Sequence, residues 1–322
     1  MKIAYAFRRS TVYPYEAGDR WLLMPEPAIT NFLTKVKEIG FDGIELGYEV
    51  FGGDEATKSS VKEMKKRLDD AGTPCVAMRA GGVLCTPIEG ELNRDKLFKS
   101  IEMAEWLGVD IVNSALSGPA RNKTLGPTVP GLAIQPGSSQ LASHQDFERT
   151  SEILHEAGKR AGDIGAIVTV EVHQHSIADN SKSTLKLLEM TDSPNVFANP
   201  DLGNILWHYD EPEETMEEAI NALAPHSKYW HCKTLQRVNV PEHDRTYFLR
   251  VPIPDGDIDY RFAINSMIDA GYDGYFALEG TQTGDHISKD ARSVAYVRQI
   301  LSEVSDGAPI RPIKTGLRIN CC

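Results

Sequence analysis

The sequence predicts an α/β fold, a single (β/α)8 TIM barrel, on three observations. Short β-branched runs alternate with longer helical patterns, which marks parallel βαβ units, and eight such units can be counted. No linker-like shift in composition divides the 322 residues, a length that suits one large barrel. The competing doubly wound sheet calls for a glycine-rich phosphate loop after the first strand, where the chain reads Phe7-Arg8-Arg9-Ser10. The barrel is assigned to residues 1–306, and a tail without period, carrying Pro309 and Pro312, to residues 307–322.

In chain order, strand one is expected at Lys2–Phe7 with its helix at Ala28–Ile39, and strand two at Gly43–Leu46 with its helix at Glu55–Ala71. Strand three follows at Pro74–Met78 with its helix at Arg94–Leu107. Gly40, Gly72 and Gly108 close these three helices, as left-handed C-caps prefer. Strand four, Asp110–Ser114, runs into a Gly/Pro/Ser-rich loop, Ser117–Ser139, before the helix Gln145–Ile164. A loop that long in a compact domain is usually functional. Strand five Ile167–Val172, helix Lys182–Met190, strand six Val196–Asp201, helix Glu213–Leu223 and strand seven Tyr229–Lys233 come next. A second long loop, Thr234–Asp257, leads to helix Tyr260–Ala270, strand eight Gly274–Leu278 and helix Ser288–Glu303.

The formal net charge of −12 repels phosphate backbones and anionic lipid, so neither nucleic acid nor membrane is expected as a partner. No apolar run is long enough to span a bilayer, and Arg8 and Arg9 follow a strand-like segment rather than precede a secretory core, so a cytoplasmic location is expected. Cys75, Cys85, Cys232, Cys321 and Cys322 form an odd set without CxxC spacing, which speaks against a disulfide framework or a thiolate zinc site.

Barrel chemistry collects where the strands end. Strand five ends in Glu171-Val-His173, strand six in Asn-Pro-Asp201, strand seven in His231-Cys-Lys233 and strand eight in Leu-Glu279. Neighbouring strands lie about 4.8 Å apart, so Glu171, Asp201, His231 and Glu279 can converge on one ion. Any one of them alone reads as a satisfied polar strand end; four together carry a repulsion that a cation relieves. Three carboxylates and one imidazole suit a divalent metal, Mn2+ first or Mg2+, with Co2+ or Zn2+ as further ions.

These motifs, with Asp201-Leu-Gly-Asn204, Pro254-Asp-Gly-Asp-Ile-Asp259 and Gly271-Tyr-Asp-Gly-Tyr-Phe-Ala-Leu-Glu279, resemble the xylose isomerase-like barrels over nearly the whole chain. That family includes sugar-phosphate isomerases and ketose 3-epimerases. The resemblance implies a metal held by Glu171, Asp201, His231 and Glu279, with the two glutamates moving a proton on and off carbon. It also implies substrate contact by Arg237, and for His173 a place behind the ligands or against substrate. Two positions depart from the pattern: Thr234 replaces an acidic residue, and Asn204 replaces the epimerases' histidine.

The reading is a metal-dependent sugar isomerase or epimerase that abstracts a proton next to a carbonyl through an enediolate. Lys233 or His173 would donate to the oxygen that gains charge. Arg8, Glu45, Asn204 and Trp207 are further candidates for substrate binding. The alternative is elimination by the catalytic subunit of a C-glycoside deglycosidase, which releases the aglycone of a 3-oxo-C-glycoside and works with a small β-sandwich partner. An inactive barrel serving as a scaffold is the third reading. A small-molecule sugar or glycoside is the expected substrate, and a homo-oligomer the expected assembly.

Overall fold

The computed structural model describes residues 1–6, 26–119, 138–207, 213–243, 245–281 and 284–305. Arg8, most of the loop expected at Ser117–Ser139 and the tail 307–322 lie outside the described residues. Eight parallel strands form one sheet: β1 (Lys2–Ala6), β2 (Gly43–Gly47), β3 (Cys75–Val83), β4 (Ile111–Ser117), β5 (Ile167–Glu171), β6 (Val196–Asn199), β7 (Trp230–Cys232) and β10 (Tyr275–Leu278). Their order is β6-β5-β4-β3-β2-β1-β10-β7, so sequence neighbours are spatial neighbours and the fold is a (β/α)8 barrel.

The helices between the strands are α1 (Glu26–Ile39), α2 (Lys58–Asp70), α3 (Pro87–Leu107), α4 (Ser138–Leu141), α5 (His144–Asp163), α6 (Ser181–Thr191), α7 (Leu202–Leu206), α8 (Met216–Leu223), α9 (Tyr260–Asp269) and α10 (His286–Ser305). Gly40, Gly72 and Gly108 take φ of 104°, 68° and 71° after α1, α2 and α3, a left-handed turn that a side chain would strain. Reciprocal capping boxes start α2 (Thr57 with Ser60) and α5 (Ser143 with Asp146). The acidic residues around the start of α8 have two uses. Glu218 completes the cap of α8 on Thr215, while Glu214 accepts from the Ser181 backbone N–H at 2.7 Å and so caps the neighbouring helix α6.

Two cores hold the barrel. Inside it, Ala4, Ala6, Ala77 and Ala277 pack with Ile111 and Tyr229, small side chains making room for a large one. Outside, Trp230 and Phe276 face the helices with ring centroids 5.1 Å apart, and Tyr260 of α9 lies 5.5 Å from Phe276. Such edge-on pairs add about 0.5–1.5 kcal/mol each beyond their burial.

The sheet's ladder stops between β6 and β7, and the seam is closed another way. The Lys228 backbone N–H donates to Ala198 O at 3.3 Å, and the His231 N–H donates to the Asn199 side-chain oxygen at 2.6 Å. Asn199 Nδ2 donates in turn to Asn113 Oδ1 at 2.9 Å, as does the Thr169 hydroxyl at 3.0 Å. A side-chain network thus replaces missing backbone pairs at the barrel's last joint.

The segment read as a second long loop is mostly an antiparallel hairpin, β8 (Thr234–Val240) with β9 (Arg245–Val251). Burial alternates along Thr246-Tyr247-Phe248-Leu249-Arg250, with Tyr247 and Leu249 on the exposed face, so the strand shows no apolar/polar period in its sequence. The hairpin springs from the end of β7 and pairs Arg237 with Phe248 and Leu235 with Arg250.

Candidate active site

The four strand-end residues come together. Glu171, Asp201, His231 and Glu279 are buried, and one donor atom from each lies within 4.8 Å of all the others. They close β5, β6, β7 and β10, four consecutive staves once the seam is counted.

Each is placed by its local chain. Pro200 ends β6, and Asp201 turns the backbone into α7 as its N-cap, accepting from the Asn204 N–H at 3.3 Å. That short helix swings Asn204 back over the site, where its Nδ2 donates to Asp201 Oδ2 at 3.0 Å, Val172 O at 2.9 Å and Glu171 Oε1 at 3.3 Å. Its helical partner Gly203 sits where a Cβ would fall 2.4 Å from Lys233 Cγ and 2.7 Å from Lys233 O. Glycine is what lets α7 and the end of β7 touch.

His231 is fixed at both nitrogens. Glu45, fully buried on β2, accepts from Nε2 at 2.6 Å, which leaves the Nδ1 lone pair facing Glu171 Oε2 at 3.1 Å and Glu279 Oε1 at 3.6 Å. Carboxylate support behind a histidine is the usual arrangement at metal sites. Glu45, expected to meet substrate, is therefore turned toward His231.

Glu279 is met by two cations. Lys233 Nζ lies 2.8 Å and Arg250 of the hairpin 2.5 Å from its Oε2. Lys233 also pairs with Asp201 Oδ2, and the Tyr260 hydroxyl donates to the Lys233 backbone oxygen at 2.7 Å. Glu171 is met by Asn113 Nδ2 at 3.1 Å besides Asn204. Burial pushes the Asp201 carboxyl up to about 6 against the pull of Lys233, with Glu279 and Glu171 adding to the rise.

The residues present fit a divalent ion. The donor set is oxygen-rich and buried, the histidine offers Nδ1 to it, and Asn204 Oδ1 is buried without a hydrogen-bond partner among the described residues.

His173 follows β5 and gives its Nδ1 to the Gln174 carbonyl at 2.8 Å. Burial pushes its imidazole below the ordinary value, with Glu171 pulling the other way. Trp207 ends α7 with its ring 6.4 Å from Phe248, and its Nε1 is buried without a partner among the described residues. Arg237 stands with its guanidinium 6.0 Å from the Phe248 ring centre, and its backbone N–H donates to Asp257 at 2.7 Å. Sequence reasoning missed Arg250 on Glu279, Glu45 behind His231, and Asn113 beneath Glu171. Asn113 did leave a trace, a lone amide in the apolar run Ile111-Val-Asn113.

Comparison with known proteins places the fold and the family. A xylose isomerase-like TIM barrel protein from Mycobacterium smegmatis in complex with magnesium superposes with TM-score 0.76 at 21% identity, covering 94% of this chain and 97% of that one. An L-ribulose 3-epimerase gives 0.69 at 16% identity, covering 95% and 96%. At those identities the likeness is one of fold. Inosose dehydratase from Clostridium perfringens is 24% identical over 151 residues, 44% of this chain and 50% of that protein. The chain spans about half the length of the curated relatives it matches. The family model described as xylose isomerase-like TIM barrel matches residues 33–299, and the chain belongs to that family.

Proposed function

We propose that the protein is a divalent-metal-dependent sugar isomerase or epimerase that abstracts a proton from the carbon beside a carbonyl of a small polyhydroxy ketone. The observation that carries this reading is the buried set of Glu171, Asp201, His231 and Glu279, four donor atoms within 4.8 Å. A divalent ion held there, Mn2+ by preference or Mg2+, would supply Lewis-acid polarisation of neighbouring substrate oxygens.

The chain's own residues do the rest. A carboxylate oxygen of Glu171 or Glu279 takes the proton, each fixed on a barrel strand so that its reach is set before substrate arrives. Lys233 and His173 are the donors for the oxygen on which negative charge develops. Asn204, Arg237 and Trp207 line the approach and hold substrate hydroxyls, a task Arg8 would share. Asn199 and Asn113 keep the floor under Glu171 and His231 rigid and dry.

A second reading, elimination, is favoured by the match to a dehydratase. The same proton abstraction followed by loss of a group from the next carbon would release water, or the aglycone of a 3-oxo-C-glycoside in a C-glycoside deglycosidase working with a β-sandwich partner. The test is turnover after chelation and Mn2+ add-back on a panel of ketoses, oxo-inositols and 3-oxo-C-glycosides. Metal-restored conversion of a ketone is expected. Turnover indifferent to chelation would overturn the reading.

A further inference from the structure

The hairpin of β8 and β9 has two faces of different character. On one, the Phe248 ring lies against Trp207 and Arg250 reaches Glu279. The other carries Val238, Tyr247 and Leu249, which are 41%, 44% and 51% exposed. These are half of the six large apolar side chains exposed among the described residues, so the exposed apolar surface is concentrated on this one ribbon. Val238 stands opposite Tyr247, and Gln236 opposite Leu249, so this face holds no charge.

The two edges of the ribbon differ as well. Along β8 the Arg237 N–H donates to Asp257 at 2.7 Å, and Leu235 O accepts from the Asp257 N–H at 2.9 Å, so the chain covers that edge itself. The same bonds fix the phase of the ladder. Leu235 and Arg237 point their backbone groups away from β9, so Arg250, opposite Leu235, points its own away from β8. Thr246, four residues earlier on the same strand, does likewise. Among the described residues no element other than β8 packs along β9. A two-stranded ribbon of this kind is a template for a further strand.

We propose that β9 pairs antiparallel with β9 of a second copy of this chain, about a two-fold axis at Phe248. In that register Thr246 exchanges backbone N–H and C=O bonds with Arg250 of the partner subunit on both sides of the axis. Tyr247 stands opposite Leu249 of the partner subunit, and the reciprocal pair makes a cluster of four apolar side chains, the kind of cross-strand contact that holds sheets together. The strand is complementary to itself in charge too. Arg250 meets a threonine and keeps its own Glu279, whereas pairing centred two residues later would set two guanidiniums face to face. Copies with a net charge of −12 repel each other, and an uncharged face is where two of them can meet. One strand from each copy falls short of the about 800 Å2 per partner of a standard interface, so the dimer separates on dilution. This contact stands on the hairpin alone and is independent of the proposed chemistry.

The test is sedimentation velocity of the full chain over a dilution series, in which a reversible dimer is expected. Two variants spare the β8–β9 ladder and should each raise the dissociation constant by about tenfold or more. Thr246→Pro deletes an N–H that points away from β8, a place where an edge strand tolerates proline. Leu249→Glu puts a carboxylate into the apolar cluster. The register has its own readout, which decides the matter even where a variant loses its circular dichroism. In a Cys321→Ser, Cys322→Ser chain, Tyr247→Cys combined with Leu249→Cys should give a covalent dimer on mild oxidation, and either cysteine alone should not. The opposed α carbons of that pair stand about 4.5 Å apart, within reach of a disulfide. A chain that is monomeric at every concentration would overturn the proposal and leave the face to a different protein. A dimer that both folded variants leave unchanged, or one that the cysteine pair fails to cross-link, would overturn it equally.

Discussion

The two halves of the site are built from different materials. On the side of β4, β5 and β6, Glu171 meets the amides of Asn113 and Asn204, and the network runs on through Asn199 to the backbone of His231. On the side of β7, the hairpin and β10, Glu279 and Asp201 meet Lys233 and Arg250. Amides fix geometry with little change of charge, and they also close the one joint of the barrel that lacks a backbone ladder. Cations fix charge, and they come from the end of β7 and from a hairpin that the barrel itself does not require. The lesson is a division of labour: the fold's own joint supplies the rigid floor, and the added hairpin supplies the electrostatic bias.

The largest expected effect breaks the amide half at its functional end. Glu171→Gln keeps the shape and removes the base, and turnover of any ketone the enzyme converts should fall by about 10^3-fold, within the range for general bases. Steady-state kinetics with unchanged circular dichroism would bear this out, and near-normal turnover would mean Glu171 is not the base.

Glu45→Gln comes next. Without the carboxylate on Nε2, His231 loses its fixed tautomer, and Mn2+ affinity should weaken by about 10-fold to 100-fold in a calorimetric titration. Equal affinity would separate Glu45 from the ion.

Asn113→Ala tests the floor. It strands the Thr169 hydroxyl, the Asn199 amide and one edge of Glu171 in a buried place, and should lower stability by about 1–3 kcal/mol in denaturant melts. A loss well under that figure would mean the seam is held by the Asn199 and Ala198 contacts without help from Asn113.

Thr234→Val should have the smallest effect. The Thr234 hydroxyl is buried with no hydrogen-bond partner among the described residues, so its removal relieves a desolvated group. Stability should hold or rise by up to about 1 kcal/mol. A clear loss would reveal a polar role on the cation half.

What was legible in the sequence follows the same division. Glu171, Asp201, His231 and Glu279 stand where apolar strand runs stop, and a parallel barrel gathers strand ends at one mouth, so period and position were enough to bring them together. Gly40, Gly72 and Gly108 announced the helix ends by their chemistry. The hairpin was not legible, because Tyr247, Phe248 and Leu249 stand together without apolar/polar alternation and the flanking Arg237, Arg245 and Arg250 make the segment read as a loop. Nor were the contacts of Glu45 and Arg250, which lie 186 and 29 residues from their partners His231 and Glu279. Side-chain pairing over such distances has no period, so only the folded register discloses it.

The central claim is that the buried donor set holds a divalent ion. Its most direct measurement is elemental analysis of the purified full chain after equilibration with Mn2+, beside an Asp201→Asn variant treated in the same way. About one ion per chain in the parent and a large loss in the variant, with both proteins folded, is the predicted result. Equal metal content in the two, or none in the parent, would contradict the account.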